Sequence, residues 1–253
     1  MVNFKSARGI ISLCLALFLC LGLAACGNRE VPSKAESSQS EPSSSAEEKA
    51  EAPLPAELSA LLGRAGQEAA ALKDKACHQL ITVEASGNRA EIRFFYLENG
   101  AWQEKADLKT AGFVGEQGVT EDMSESKRMT PAGLFTVGEA FYKETAPTTA
   151  LESFKITPET YWVDDPDSKF YNTRVEGTAE KDWKSAEHMI DYAAYRYGFT
   201  IGYNLDCVAG KGSAIFFHVS ESPTLGCVGA EESAVLDFLA ELDPAENPHI
   251  LIF

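Results

Sequence analysis

The sequence predicts a mainly β domain with a few peripheral helices, spanning roughly residues 77–253. Three observations lead there. Residues 79–85 (QLITVEA) and 90–97 (AEIRFFYL) are β-type runs separated by Ser86-Gly87-Asn88-Arg89, a turn-forming cluster, which predicts a hairpin. Ser213–Val219 (SAIFFHV) is apolar on both faces, as expected of a strand in the middle of a sheet. Helical spacing, by contrast, is confined to short stretches near the two ends of this region and one segment between them.

Taken in order, Leu58, Leu61, Leu62, Ala65, Ala69 and Leu72 recur at helical intervals between Pro55 and Ala76, which predicts a leading amphipathic helix over 55–78 ahead of a strand-rich part at 79–253. After the hairpin, Asn99-Gly100 is a turn signal, and a strand follows through Trp102. Gly133–Phe141 and Tyr195–Tyr203 are further strands. Lys184–Ala194 reads as a helix carrying His188 at the surface, with His249 expected at the surface too. Val235, Leu236, Leu239 and Leu242 predict a helix over Glu231–Leu242, and Ile250–Phe253 closes the chain as a strand. No internal repeat is visible. Trp102, Trp162 and Trp183 are expected to pack in the core or at its edge.

The 253 residues are 45% hydrophobic and 24% charged, ordinary for a globular protein. Asp and Glu outnumber Lys and Arg by 38 to 22, and the net charge is −16. No Lys/Arg-rich run is present to displace the counterions of a nucleic acid, so nucleic-acid binding is excluded. Asp164, Asp165 and Asp167 are interrupted by Pro166 and lack an EF-hand's Gly and distal Glu, so they read as a solvated turn and not a calcium loop. No cofactor and no metal are expected, and the chain is expected to be monomeric.

Lys5 and Arg8 precede an apolar run over Gly9–Ala25, the pattern of an export signal. The run ends in Leu23-Ala24-Ala25-Cys26, which resembles the bacterial lipobox. That resemblance implies cleavage after residue 25, a lipid on Cys26 and anchoring in the membrane through it. The expected location is the cell envelope, on the outer face of the cytoplasmic membrane or in a periplasm. Residues 27–53 hold seven Ser, three Pro and six Glu with no aromatic, so residues 26–54 are expected to form a disordered tether. A coil of ~27 residues spans roughly 25–30 Å.

The folded part keeps Cys77, Cys207 and Cys227, an odd number for an exported chain. Pairing Cys77 with Cys207 as a disulfide would leave Cys227 as the one free thiol; two separate thiols are the alternative. Cys227 also has the most suggestive surroundings. His218 lies near the end of the Ser213–Val219 run, with eight residues between it and Cys227, and Pro223 and Gly226 let the chain double back between them. A thiol needs a base to become a nucleophile near neutral pH, and an imidazole supplies one. Gly226 leaves room for a substrate carbonyl, with N–H groups nearby for an oxyanion. The helix starting near Glu231 would bring its positive end towards the thiol.

Thr224-Leu225-Gly226-Cys227-Val228, with His218 upstream, resembles the signature of L,D-transpeptidase (YkuD-type) catalytic domains. Lys127-Arg128-Met129-Thr130-Pro131-Ala132-Gly133-Leu134-Phe135 resembles the family's K-x-T-P-x-G-x-F segment. Trp162–Ser168 with Tyr171-Asn172 is similar to a branch with an elaborated middle region. The resemblance implies a mixed β-sandwich with the cysteine in an open cleft, acting on peptidoglycan stem peptides. It implies Cys227 as nucleophile, His218 as proton donor and acceptor, Gly226 in the oxyanion region, and the Gly212–Ser213 backbone as the carbonyl that orients the imidazole. Thr224, Ser213 and Tyr203 are the substrate-side residues expected from this frame, with Arg196 and Tyr197 near them. The sequence departs from the usual pattern in its short His-to-Cys interval, in Val219 for a usual Gly, and in Gly229 where many members carry Asn or Arg. Hydrolysis of the same thioester by water, as in a cysteine L,D-carboxypeptidase or amidase, is the alternative activity; a non-catalytic wall-binding module is the alternative of another class.

Overall fold

In the computed structural model, which describes residues 54–66, 72 and 76–253, the leading helix α1 runs over Ala56–Ala65. Leu58, Leu61 and Ala65 are its buried stripe, and Gly66, at a φ of 58°, ends it by returning its N–H to the Leu62 carbonyl. The helix is shorter than its apolar spacing suggests. The signal, Cys26, the tether and Ala69 of the predicted helix lie outside the described residues.

β1 (Gln79–Ser86) and β2 (Arg89–Glu98) form the expected hairpin, with Ser86 opposite Arg89 and Gly87 at positive φ in the turn. The chain continues through β3 (Ala101–Glu104), β4 (Thr110–Phe113), β5 (Val119–Thr120), β6 (Thr130–Pro131), β7 (Gly133–Tyr142) and β8 (Ser153–Lys155). Then come β9 (Thr160–Val163), β10 (Arg174–Glu176), β11 (Ala186–His188), β12 (Tyr197–Ile201), β13 (Phe216–Val219) and β14 (Val228–Ala230). Helix α2 (Glu232–Glu241) and β15 (His249–Ile252) complete the chain. The protein is therefore mainly β.

Ten strands make one sheet in the order β1-β15-β7-β12-β13-β14-β4-β2-β3, with β8 on β7. Because β1 also pairs with β2, the order returns to its start and the sheet closes on itself. Closure leaves few unpaired edges to template association. β9, β10 and β11 form a separate three-stranded sheet.

The main core takes alternate residues from around this ring, among them Ile81, Ile92, Phe199, Phe217, Val228 and Ile250, together with Val235, Phe238 and Leu239 of α2. Phe199 and Phe217, opposite one another on β12 and β13, stack at 4.8 Å, and Phe217 meets Phe238 at 5.3 Å. The other face of the ring carries two smaller clusters. One seats α1 on Leu80, Phe95 and Leu251; the other gathers Phe141, Phe154, Met189, Tyr195, Phe216 and Cys227.

Two expected features differ. The helix over 184–194 is absent: Ala186–His188 pairs with β9, placing Glu187 opposite Trp162, and only short 3-10 turns follow at Met189–Asp191 and Ala193–Arg196. A short helix has little intrinsic stability, and here strand pairing outcompetes it. His188 stacks on Tyr161 at 4.7 Å, half-buried. His249 is not a surface residue: it sits in β15 at 2% exposure, with Nδ1 bonded to the Asn247 carbonyl at 2.8 Å.

Candidate active site

β13 and β14 are parallel neighbours, with Phe217 opposite Val228 and His218 opposite Gly229. Phe217 and Val228 face the main core, so His218 and Cys227, each one step along its chain, share the opposite face. Strand alternation thus places the imidazole and the thiol on one face. Both line a cleft of about 490 Å³.

His218 is 6% exposed, and its Nδ1 bonds the Val219 carbonyl at 2.9 Å. A carbonyl only accepts, so Nδ1 carries the proton and Nε2 keeps its lone pair. Nε2 has no hydrogen-bond partner among the described residues. The orienting carbonyl is therefore that of Val219, not of the Gly212–Ser213 backbone. Burial lowers the imidazole pKa to about 4, so it is neutral at physiological pH.

Cys227 is 7% exposed; its Sγ donates to the Ala214 carbonyl at 3.3 Å and accepts from the Phe216 N–H at 3.4 Å. Burial, and then the nearby Glu187 carboxylate, push the thiol pKa well above its ordinary value, while the Phe216 N–H opposes them. The resting pair is thus neutral thiol and neutral imidazole. Ala214, at a φ of 54°, is held in the left-handed region that non-glycine residues seldom adopt. Gly212 precedes it at 99°. This bend delays the strand to Phe216, three residues later than the sequence suggests, and presents the Ala214 carbonyl to the sulfur.

The Cys227 backbone is held from two sides. Thr224 Oγ1 donates to the Cys227 carbonyl at 2.6 Å and accepts from the Gly226 N–H at 3.2 Å. Thr130, buried in β6, donates to the same carbonyl at 3.2 Å and accepts from the Gly115 N–H at 2.8 Å. The two threonines of the sequence motifs therefore meet on one atom. Thr224 is a scaffold for the turn, although it also lines the cleft. A Cβ on Gly226 would stand 3.2 Å from the Met129 carbonyl and 3.3 Å from Ile215 Cδ1, so the glycine serves close packing of the two loops. The Cys227 N–H, beside the sulfur, meets no acceptor among the described residues.

Ser213 lines the cleft. Tyr203 does not: it borders a separate hollow with Cys207 and Trp162, and its hydroxyl donates to the Lys211 carbonyl at 2.6 Å. Arg196 is engaged with Glu232, and Tyr197 packs on the main core. Helix α2 packs against Phe217, the face of β13 away from Cys227, so it is not aimed at the thiol as expected. Asp165 is no solvated residue either; it is buried and accepts from the Lys184 and Asp167 backbone N–H groups at 2.6 and 3.0 Å.

The expected Cys77–Cys207 disulfide is not formed, and both are free thiols. Cys77 is sealed among Leu58, Leu61, Leu80 and Phe95 under α1, whereas Cys207 sits in the turn after β12 at a φ of 51°. They belong to different regions of the sheet surface, and a bridge needs neighbouring Cβ atoms.

Sequence reasoning missed three groups in the cleft: Glu187, Tyr195 and Asp164. Tyr195 packs edge-on against His218 with centroids 5.2 Å apart, and its hydroxyl donates to Glu187 Oε2 at 2.6 Å. Asp164 Oδ1 is buried without a hydrogen-bond partner among the described residues. Their spacing in sequence carries no signal, because the end of β9, β11 and the 3-10 turn bring them in from 32 to 63 residues upstream of Cys227. Among the described residues no cluster of three or more His, Cys, Asp or Glu side chains could hold a metal ion. No protein-family model matches the chain, and no curated protein matches it.

Proposed function

We propose that this protein is a cysteine-dependent acyltransferase of the L,D-transpeptidase type, acting on peptidoglycan stem peptides. The observation that carries the reading is the neutral His218–Cys227 pair on one face of two parallel strands, in a cleft with an imidazole whose orientation is set by the Val219 carbonyl. The resemblance of residues 127–135 and 224–228 to that family supplies the substrate class and the sandwich relationship. An exported, lipid-anchored chain would meet that substrate outside the membrane.

On this reading His218 Nε2 takes the Cys227 proton as the sulfur attacks the amide carbon of the donor stem, and the carbonyl π electrons move to oxygen. The Cys227 N–H is available to the oxyanion. Collapse re-forms the carbonyl and breaks the C–N bond, and the imidazolium returns its proton to the departing amine. The thioester is then attacked by an acceptor amine, whose proton passes to Nε2 and on to the released thiol. The high resting pKa of Cys227 argues that proton transfer and attack are coupled, with no standing thiolate.

Intact-mass analysis with a carbapenem or a tetrapeptide stem tests this. The wild type is expected to gain one acyl group, Cys77→Ala the same, and Cys227→Ala none; an adduct of equal yield on Cys227→Ala would overturn the reading. Muropeptide products with and without an acceptor amine then separate transfer from hydrolysis.

A further inference from the structure

Glu187 is a half-buried acid that the acyl-transfer steps do not use, yet it borders the same cleft as Cys227 and His218. β11 holds it opposite Trp162, with its carboxylate accepting from Tyr195 at 2.6 Å. Tyr195, 4% exposed, shares a packed cluster with Cys227 and Phe216 and sets its ring edge-on against His218 at 5.2 Å. One chain of contacts therefore runs from carboxylate to phenol to imidazole.

The geometry points to Glu187 as a positioning residue that acts on the His218–Cys227 pair through Tyr195 and through its own charge. This rests on the reading of Cys227 as nucleophile. The groups that face Glu187 are Tyr195 and Tyr192 from the 3-10 segment, Asp164 after β9, Glu125 from the loop before β6, and Cys227 itself. The cation in the cleft, Arg128, is paired with Glu116 at 2.8 Å. Burial, with help from Asp164 and Glu125, pushes Glu187 up to about 7, against the Tyr195 hydroxyl that favours the charged form. Above that pH the carboxylate opposes thiolate formation; below it the neutral acid relieves the thiol. His188, next in sequence, faces away to Asp191 and the Pro158 carbonyl.

The test is the pH profile of Cys227 alkylation by iodoacetamide on the full chain, read by peptide mass. Glu187→Gln keeps an acceptor for Tyr195 but removes the charge, so its midpoint should move to lower pH by about half a unit or more, roughly threefold in rate at a fixed pH below the midpoint. Tyr195→Phe removes the donor that partly offsets the carboxylate's charge, and Glu187 stays ionised at the thiol's midpoint, so that midpoint should move the opposite way, to higher pH, by less. Glu187→Asp, which retains the charge, should move back towards wild type. Profiles of Glu187→Gln and Tyr195→Phe that superimpose on wild type overturn the inference. Cys77 reports folding in each sample, because it is labelled only if the α1 cluster opens; should Glu187→Gln label there, Tyr195→Phe decides. A wild-type Cys227 no more reactive than Cys77 would instead count against the nucleophile reading itself.

Discussion

Two buried thiols sit on the outward face of the same closed sheet, and they differ in everything but burial. Cys77 is 4% exposed and Cys227 7%. Burial raises both, Cys77 to about 12. Around Cys77 the neighbours are Leu58, Leu61, Leu80, Phe95 and Leu251, and its Sγ donates to the Gln79 carbonyl at 3.1 Å. Around Cys227 are an imidazole, a phenol and a carboxylate, at the foot of an open cleft. Desolvation alone makes a cysteine inert. Reactivity needs a base on the same face and a route for a substrate, and only one of the two sites has them.

The comparison breaks most sharply at His218. His218→Gln should slow Cys227 acylation by on the order of 10²-fold or more, the usual worth of a positioned general base. Stopped-flow or quenched mass kinetics would measure it, and a loss of less than a few-fold would make Cys227 as solitary as Cys77.

A smaller effect sharpens the other side. Leu61 is 1% exposed in the Cys77 cluster, and Leu61→Ala should cost about 2–5 kcal/mol of stability. Denaturant unfolding gives that number, while the acylation rate of Cys227 in the folded fraction should stay at the wild-type value. A parallel loss of acylation rate would mean that the two faces are coupled through the sheet.

The smallest effect is in pH. His218, held at about 4 in the folded chain, stays neutral where an unfolded imidazole gains a proton below about 6.5, so its contribution to stability is lost as pH falls through that window. Glu187, raised from 4.5 to about 7, acts oppositely: the folded chain keeps a proton that the unfolded chain releases, so stability is lost as pH rises through that range. Between pH 4.5 and 6.5 the two oppose, at about 1.4 kcal/mol per unit each. Thermal melts of wild type should therefore be nearly flat in this window, whereas those of Glu187→Gln should rise with pH. Equal slopes would show that the cleft groups do not titrate as a pair. Leu61→Ala should lower the melting temperature by the same amount at every pH, since nothing beside it titrates there.

Much of this was legible in one dimension, and the failures share a cause. The hairpin of β1 and β2, the runs that became β7, β13 and β15, and helix α2 follow from local periodicity and turn chemistry, which act within a few residues. His218 and Cys227 could be singled out because β13 and the return to β14 are close in sequence. Glu187 and Tyr195 could not, being placed by pairing of β11 on β9 and by a 3-10 turn whose residues carry no distinctive spacing. The disulfide failed because cysteine parity says nothing about distance. His249 was misjudged because Pro244 and Pro248 just before it are loop-type residues, while its pairing with Leu80 and Thr136 buries it.

By itself, the amino-acid order determined that alternating apolar residues would make strands, that β13 would be central, and that a histidine and a cysteine would lie within one loop of each other. Those are short-range consequences of side-chain period and backbone stiffness. Tertiary structure alone decided that β1 would close the sheet on β2, that Ala214 would bend its carbonyl towards the sulfur, and that Thr130 and Thr224 would clasp the Cys227 backbone. It also decided which of two equally buried thiols would face an imidazole. The reason is physical: burial is a property of composition and period, whereas the identity of a buried group's neighbours depends on contacts between residues far apart in the chain.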